Sequence, residues 1–257
     1  MTLALDFPLQ TDSPLGRLDP RWKLAAFALA ALAAAILQTV PAAVLALAAA
    51  LALAWLARLP RRWYLTRLGA LALVLLLFAL PLPFLLRGEG TVWRWGVFQV
   101  SEHGLAVALL LVLRGLAVVT FLLVVVATAP LDATLKAAHS LRVPGLLVQL
   151  ALLCYRYLFV LGDELARLRV ALRTRGYRNR PSRHCYRTIG HVAGTLLVRG
   201  HERAERVGQA MRCRGFDGHF RTLTTFRTTI GDVVTFLLIV VGAVGLVLLD
   251  RTLLRGA

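Results

Sequence analysis

Long apolar runs separated by short polar breaks dominate the chain. From Leu24 the sequence is Ala, Leu, Phe and Ile until Gln38 and Thr39, the run closing at Val40, and Pro41 opens a second run that ends at Ala57. Each is about the minimum needed to cross a hydrocarbon core roughly 30 Å thick, so the pattern predicts a tight helical hairpin broken at Pro41. A third run, Leu65 to Leu86, is interrupted only by Arg67 near its start and by Pro81 and Pro83 near its end. The fourth, Gly104 to Ala129, is the longest, and a fifth runs from Ile230 to Leu249. The expected fold is all-α: a polytopic membrane protein of about five transmembrane helices with a cytoplasmic helical subdomain between the fourth and fifth. The corresponding boundaries are 1–129, 130–229 and 230–257.

Composition agrees with that class. Of 257 residues 58% are apolar and 17% charged, which excludes a solvated globular surface as well as collagen-like and disordered chains. The formal charge is +17, and only Lys23 and Lys136 among the 30 cations are Lys. Heavy Arg use also follows from a GC-rich genome, so the position of each Arg carries more than the total. Asp6, Asp12 and Asp19 precede every cation except Arg17, the wrong order for a secretory leader, and no cleaved signal is expected. The loop with Arg58, Arg61, Arg62 and Arg67 has no acid and is expected in the cytoplasm. The N-terminus then lies inside too. The segment from Arg87 to Glu102 balances Arg87 and Arg94 against Glu89 and Glu102 and carries Trp93 and Trp95, as an outer membrane interface does.

A sixth apolar stretch, Val143 to Leu161, conflicts with this orientation. Were it to cross, residues 163–227 would lie outside, although they hold fifteen Arg against Asp163, Glu164, Glu202, Glu205 and Asp217. Ten net positive charges resist translocation. The stretch is therefore expected to pack at the inner face, and the last span to end outside.

Two amphipathic helices are predicted within the basic segment. Leu161, Leu165, Leu168 and Leu172 recur at helical spacing, with Arg167, Arg169, Arg173 and Arg175 on other faces. Ile189, Val192, Ala193, Leu196, Leu197, Ala204, Val207 and Met211 form a second stripe, with Glu202 and Arg206 at a spacing that supports a helix. Both helices end on nearly the same seven residues: Ala171, Leu172, Arg173, Thr174, Arg175, Gly176, Tyr177 and Ala210, Met211, Arg212, Cys213, Arg214, Gly215, Phe216. Gly at such a position takes the left-handed conformation that stops a helix, Arg in the last turn complements the dipole, and a small Ala one turn earlier admits a close neighbour. A single Arg-Gly helix end is ordinary capping. Two matched copies suggest two equivalent sockets on a partner.

With these motifs the sequence resembles the transmembrane T component of energy-coupling factor (ECF) transporters, in particular the cobalt-type CbiQ subfamily. The resemblance rests on Leu18-Asp19-Pro20-Arg21 with Lys23, Thr128 to Pro130, Val143-Pro144, Tyr155-Arg156-Tyr157, Leu197 to Arg206 and Ala210 to Gly218. It implies a non-catalytic, multi-pass subunit of the cell inner membrane that works with two ABC-type ATPases and a separate substrate-binding membrane subunit, the CbiM-like S component, in cobalt uptake, with nickel or a vitamin as alternative solutes. The family's Ala-Arg-Gly motifs, which dock on the ATPases, fall on Thr174-Arg175-Gly176 and Cys213-Arg214-Gly215, with Thr and Cys replacing Ala.

Other chemistry is not indicated. Neither Lys belongs to a phosphate-binding loop, so nucleotide must be held elsewhere. The three cysteines, Cys154, Cys185 and Cys213, share no paired spacing, and the six His form no zinc motif. His184, Cys185 and His191 read as a loop coincidence, and no metal or other cofactor is expected. Arg114 lies well inside the fourth span, where a bare charge costs about 2.5–3.5 kcal/mol. It is either a contact to the substrate-binding subunit or the coupling helices, or a cation paired or snorkelling within the bundle. Arg156, between two tyrosines, is expected near lipid headgroups. A rival reading is a membrane-anchored binder of anionic lipid or nucleic acid. Acids interleaved among the cations and scarce aromatics disfavour nucleic acid, while lipid remains a natural neighbour.

Overall fold

The first helix starts earlier than its apolar run, because Asp19 caps it and Pro20 takes its first position. The Asp19 carboxylate accepts the Arg21 N–H, and proline there loses no helical hydrogen bond. Arg21 and Lys23 are thereby helical. Pro41 likewise sits in the first turn of the second helix, so the hairpin breaks at residues 37–39 ahead of it, rather than at the proline itself.

The computed structural model describes residues 13, 15–16, 18–85, 91–95, 98–141, 143–178, 180, 182–216 and 228–256. They form α1 (Pro20–Ile36), α2 (Val40–Leu56), α3 (Arg61–Ala79), α4 (Leu82–Leu85), β1 (Thr91–Trp95), β2 (Phe98–Ser101), α5 (Glu102–Thr128), α6 (Leu131–Ser140), α7 (Gly145–Thr174), α8 (Arg183–Cys213) and α9 (Ile230–Gly256). The architecture is that of an all-α multi-pass membrane protein, with one antiparallel β1–β2 hairpin where the outer interface was expected. The side chains of Trp93 and Trp95 lie outside the described set, as do Arg87 and Glu89. Residues 61–84, 102–128, 145–174 and 230–255 are long and apolar enough to cross a membrane, with α2 a shorter apolar helix.

The described residues fall into two compact units: α7 with α8, and all the other elements. α6 packs on α1, so the boundary lies near 141, not at the expected 129/130. In the membrane unit α5 is the central helix, against which α1, α2 and α3 pack. Ala42, Ala46, Ala50 and Ala54 repeat every fourth residue along α2 and are all buried, as are Ala26, Ala30 and Ala34 on α1. Helices in lipid associate by close backbone approach, and alanine stripes permit it. Gly104 serves the same end at α4, since a Cβ there would stand 2.8 Å from Pro83 Cα.

Two buried carboxylates fix α9 on α1. Asp232, at the start of α9, accepts the backbone N–H groups of Asp19 (2.9 Å) and Thr229 (2.7 Å). Asp250, 4% exposed near its other end, accepts the N–H groups of Gln38 and Thr39 and the Thr39 hydroxyl at 2.6–3.2 Å. Eighteen residues of helix span about 27 Å, close to the reach of α1 from Asp19 to Gln38. The two helices therefore run parallel. The Lys23 ammonium, 3% exposed, donates to the carbonyls of Leu15 and Thr128, both at 3.0 Å, and so holds the last turn of α5 beside the first turn of α1.

In that geometry α5 ends, and α9 begins, on the face of the unit where α1 begins, and α2 returns there to the turn carrying Arg58, Arg61 and Arg62. Leu141 and Thr229, the described residues that flank the other unit in sequence, therefore lie on one face of the membrane unit. α7 is long and apolar enough to cross a membrane and α8 is not. Cysteines introduced singly at Leu141 and Thr229, with the native three replaced, should react with an impermeant maleimide from the same face of sealed vesicles. Replacing Asp250 with Ala removes charge-assisted bonds worth about 1.5–3 kcal/mol each when buried, and should clearly lower the detergent melting temperature while leaving insertion intact.

Candidate functional site

α7 and α8 are long amphipathic helices packed on each other. Leu165, Leu168 and Leu172 of α7 are half-buried, while Arg167, Arg169, Arg173 and Arg175 are exposed. On α8 the half-buried ridge is Val192, Leu196, Gly200, Arg203, Val207 and Met211. The predicted α8 stripe is wider than α7 can cover, for Ile189 and Val198 stay exposed and Leu197 is 75% exposed. The expected Glu202–Arg206 pair is not made. Glu205 pairs with His201 at 3.6 Å, and Arg199 reaches across to Glu164.

The chain runs antiparallel through this pair. Residues 153–161 line a cleft with 200–211, and residues 165–177 line another with 189–192. The crossing lies at Leu161 and Gly200, where Leu161 Cδ2 stands 3.8 Å from the place a Cβ would occupy, an ordinary packing distance. Leu161 and Gly200 are 39 residues apart, as are Arg175 and Arg214. Each arm from crossing to tip is fourteen residues, about 21 Å of helix. The two tips lie at opposite ends of the pair, equally far from its centre.

Both tips end in one hydrogen-bonded form. Gly176, at φ 77°, donates to the Arg173 carbonyl and Tyr177 donates to Leu172, both at 3.0 Å. Gly215, at φ 76°, donates to Arg212 at 3.0 Å and Phe216 to Met211 at 3.1 Å. This is the Schellman stop, with Arg175 and Arg214 as the matching C-cap residues. Nothing stands within 4 Å of either glycine's missing Cβ, so the left-handed backbone, not crowding, is what requires glycine.

Ala171, Thr174, Arg175 and Gly176 are all exposed at one tip, and Ala210, Cys213, Arg214 and Gly215 at the other. The Thr174 hydroxyl donates to the Ala171 carbonyl at 2.9 Å. Neither Arg175 nor Arg214 makes a hydrogen bond or ion pair with another described residue. The first tip is braced by the Tyr177 hydroxyl against the Cys185 thiol at 2.8 Å, a bond that raises the Tyr177 pKa above the ordinary tyrosine value. Ser182 in turn caps α8 by accepting the Cys185 N–H. His184 and His191 are exposed, and among the described residues no three His, Cys, Asp or Glu side chains are arranged to hold a metal ion. Arg156 is exposed on α7, next to the Tyr155–Phe159 edge-to-face pair. Sequence reasoning missed the Asp232 and Asp250 anchors. Their signal was present, since a carboxylate inside or flanking an apolar span is rare unless it has a partner.

A multi-pass helical membrane unit joined to a crossed pair of polar, doubly tipped helices is the class this geometry defines. The sequence profile of the CbiQ family, described as a cobalt transport protein, matches residues 11–226, and the chain belongs to that family. It is 32% identical over 154 residues to the cobalt transport protein CbiQ of Rhodobacter capsulatus, covering 57% of this chain and 61% of that one. It is 32% identical over 171 residues to the energy-coupling factor transporter transmembrane protein EcfT of Exiguobacterium sibiricum, covering 62% and 65%. With the nickel permease LarQ of Lactiplantibacillus plantarum it shares 34% identity over 101 residues, covering 39% and 36%. The chain thus spans less than two thirds of the length of each of these relatives.

Glycine at the two caps carries a testable load. Gly215→Val forces a β-branched residue into the left-handed region at a cost of about 1–2 kcal/mol, and should unwind the last turn of α8. The exposed Cys213 then reports the change as faster hydrogen exchange in the peptide that contains it, whereas Gly215→Asn, which tolerates that region, should leave exchange near wild type.

Proposed function

We propose that this chain is the energy-coupling subunit of an ECF-type importer, most simply one for cobalt, converting the motion of two ATPases into movement of a separate substrate-binding membrane subunit. The observation that carries the reading is the pair of matched Schellman tips at equal distance from the α7–α8 crossing, each presenting a guanidinium that no described residue pairs. Two copies of one tip call for two copies of one socket. Arg suits an acidic socket because its planar fork fixes a carboxylate in one orientation, whereas Lys is a swivelling point charge. When the ATPases approach or part on binding and hydrolysing nucleotide, equal arms deliver that displacement from both tips to the crossing at Leu161 and Gly200. Specificity for the solute resides in the substrate-binding subunit.

The membrane unit supports this reading, since Leu141 and Thr229, between which the coupling helices are inserted in sequence, lie on one of its faces. The cobalt assignment rests on the family and on the similarity to the cobalt transport protein CbiQ of Rhodobacter capsulatus.

Reversing both tips, Arg175→Glu with Arg214→Glu, sets like charge against the sockets. Breaking a buried ion pair costs about 3–5 kcal/mol, so ATPase affinity should fall by at least about two orders of magnitude. Co-purification of the ATPases and metal uptake should be lost while the chain still inserts and melts as wild type. Full ATPase retention by the double variant would overturn the proposal.

A further inference from the structure

Arg114 is a mid-span cation that the described residues of the membrane unit leave without a partner. It stands twelve residues from the start of α5 and fourteen from its end, about 18 and 21 Å along the axis, too far for its side chain to reach either headgroup layer. It is half-buried and makes no hydrogen bond or ion pair with another described residue. The described acids of this unit are all committed elsewhere. Asp19, Asp232 and Asp250 cap helix ends, Asp132 pairs with Lys136 at 3.8 Å, and Glu102 starts α5 itself.

The surroundings are otherwise apolar. Arg114 lines a cleft of about 360 Å³ with Ala35 of α1, Leu71, Val74 and Leu75 of α3, and Leu111 and Val118 of α5. The cleft sits where α3 presses close on α5: a Cβ on Gly115 would be 2.8 Å from Leu75 Cδ1. Leu73, Val74 and Leu77 are exposed on the adjoining face of α3. A cation at this depth needs an opposite charge supplied from within the bilayer. A second copy of this chain brings another arginine to that level and no described acid, and lipid phosphates lie near the surface.

We propose that this cleft seats a transmembrane helix of the substrate-binding subunit that carries an Asp or Glu at mid-bilayer depth, paired with Arg114. The proposal rests on the reading of the chain as a coupling subunit, and it adds where the substrate-binding subunit is held and by what chemistry. The two contacts are then separable: the tips hold the ATPases, and the α3–α5 cleft holds the membrane partner. An apolar cleft supplies packing area and a single charge pair sets the depth and rotation of the incoming helix.

The test uses the whole transporter, with the substrate-binding subunit and the ATPases co-expressed. Arg114→Leu should reduce retention of the substrate-binding subunit at least tenfold, leave the ATPases bound, and leave unchanged or raise the melting temperature of the isolated chain, because an unpaired charge has been removed. Arg114→Lys should recover part of the retention. A benzophenone side chain in place of Val118 should crosslink to a transmembrane peptide containing an acid, and exchanging that acid for Arg should restore assembly to Arg114→Glu. Wild-type retention by Arg114→Leu, crosslinks to lipid or to a second copy of this chain, or a crosslinked peptide without an acid would each overturn the proposal alone. Failure of the wild-type chain to retain the ATPases would overturn the coupling reading, and absence of the substrate-binding subunit from the wild-type complex would overturn both.

Discussion

The attachment of α9 to α1 by Asp232 and Asp250 is the constraint on which the rest of the arrangement depends. A hydrophobic contact alone does not orient two helices in lipid, because lipid tails are as apolar as the side chains. Carboxylates near both ends of α9, bonded to backbone N–H groups about 27 Å apart, do orient them, and they admit only the parallel register. The registry is bought with buried charge that no other contact could neutralise if α9 slid or turned over. Lys23 adds the third strand of this anchor by tying the end of α5 to the start of α1. From these contacts it follows that α5 ends and α9 begins on the face where α1 begins.

The basic segment differs in kind from the membrane unit. An apolar stretch of 30 residues is normally read as a span, and by hydropathy α7 is one. Its continuation into an Arg-rich half and its pairing with a polar α8 set it apart from α3, α5 and α9. The apolar surface it retains is matched by α8, which also exposes Leu197, Val198 and Ile189. Helices that keep this much apolar surface outside a membrane unit are surfaces for other proteins or for the bilayer interface.

Much of the fold was legible because the bilayer imposes lengths that sequence reveals directly. The spans α3, α5 and α9, the shorter apolar helix α2 and the two amphipathic helices follow from run length and period, and the left-handed Gly176 and Gly215 follow from local chemistry at each helix end. The anchors were not legible, since Asp250 meets Gln38 and Thr39 across more than 200 residues, and no periodicity encodes such a meeting. The start of α1 was misplaced by four residues because span hydropathy ignores capping, which Asp19 and Pro20 supply. The β1–β2 hairpin was passed over although Thr91, Val92 and Trp93 are strand-forming types, because the balanced charge of that segment read as a loop. The equal arms were implicit in the 39-residue repeat, but only the packing of Leu161 against Gly200 shows that the repeat has its centre at the crossing.

The departures at Thr174 and Cys213 become intelligible in this frame. Each occupies the last helical residue before the C-cap arginine, where a bulky side chain would stand between the tip and any surface it approaches. Thr174 turns its hydroxyl back onto its own helix, to the Ala171 carbonyl, so it brings no unsatisfied polar group to a contact. Cys213 is small, and a thiol loses little on leaving water. Neither residue alters the Schellman bonds, which are made by backbone, nor the position of the guanidinium that follows. The backbone stop and the arginine that precedes it are therefore preserved at both tips, and at this position the tips differ by one small side chain beside an unchanged arginine and glycine.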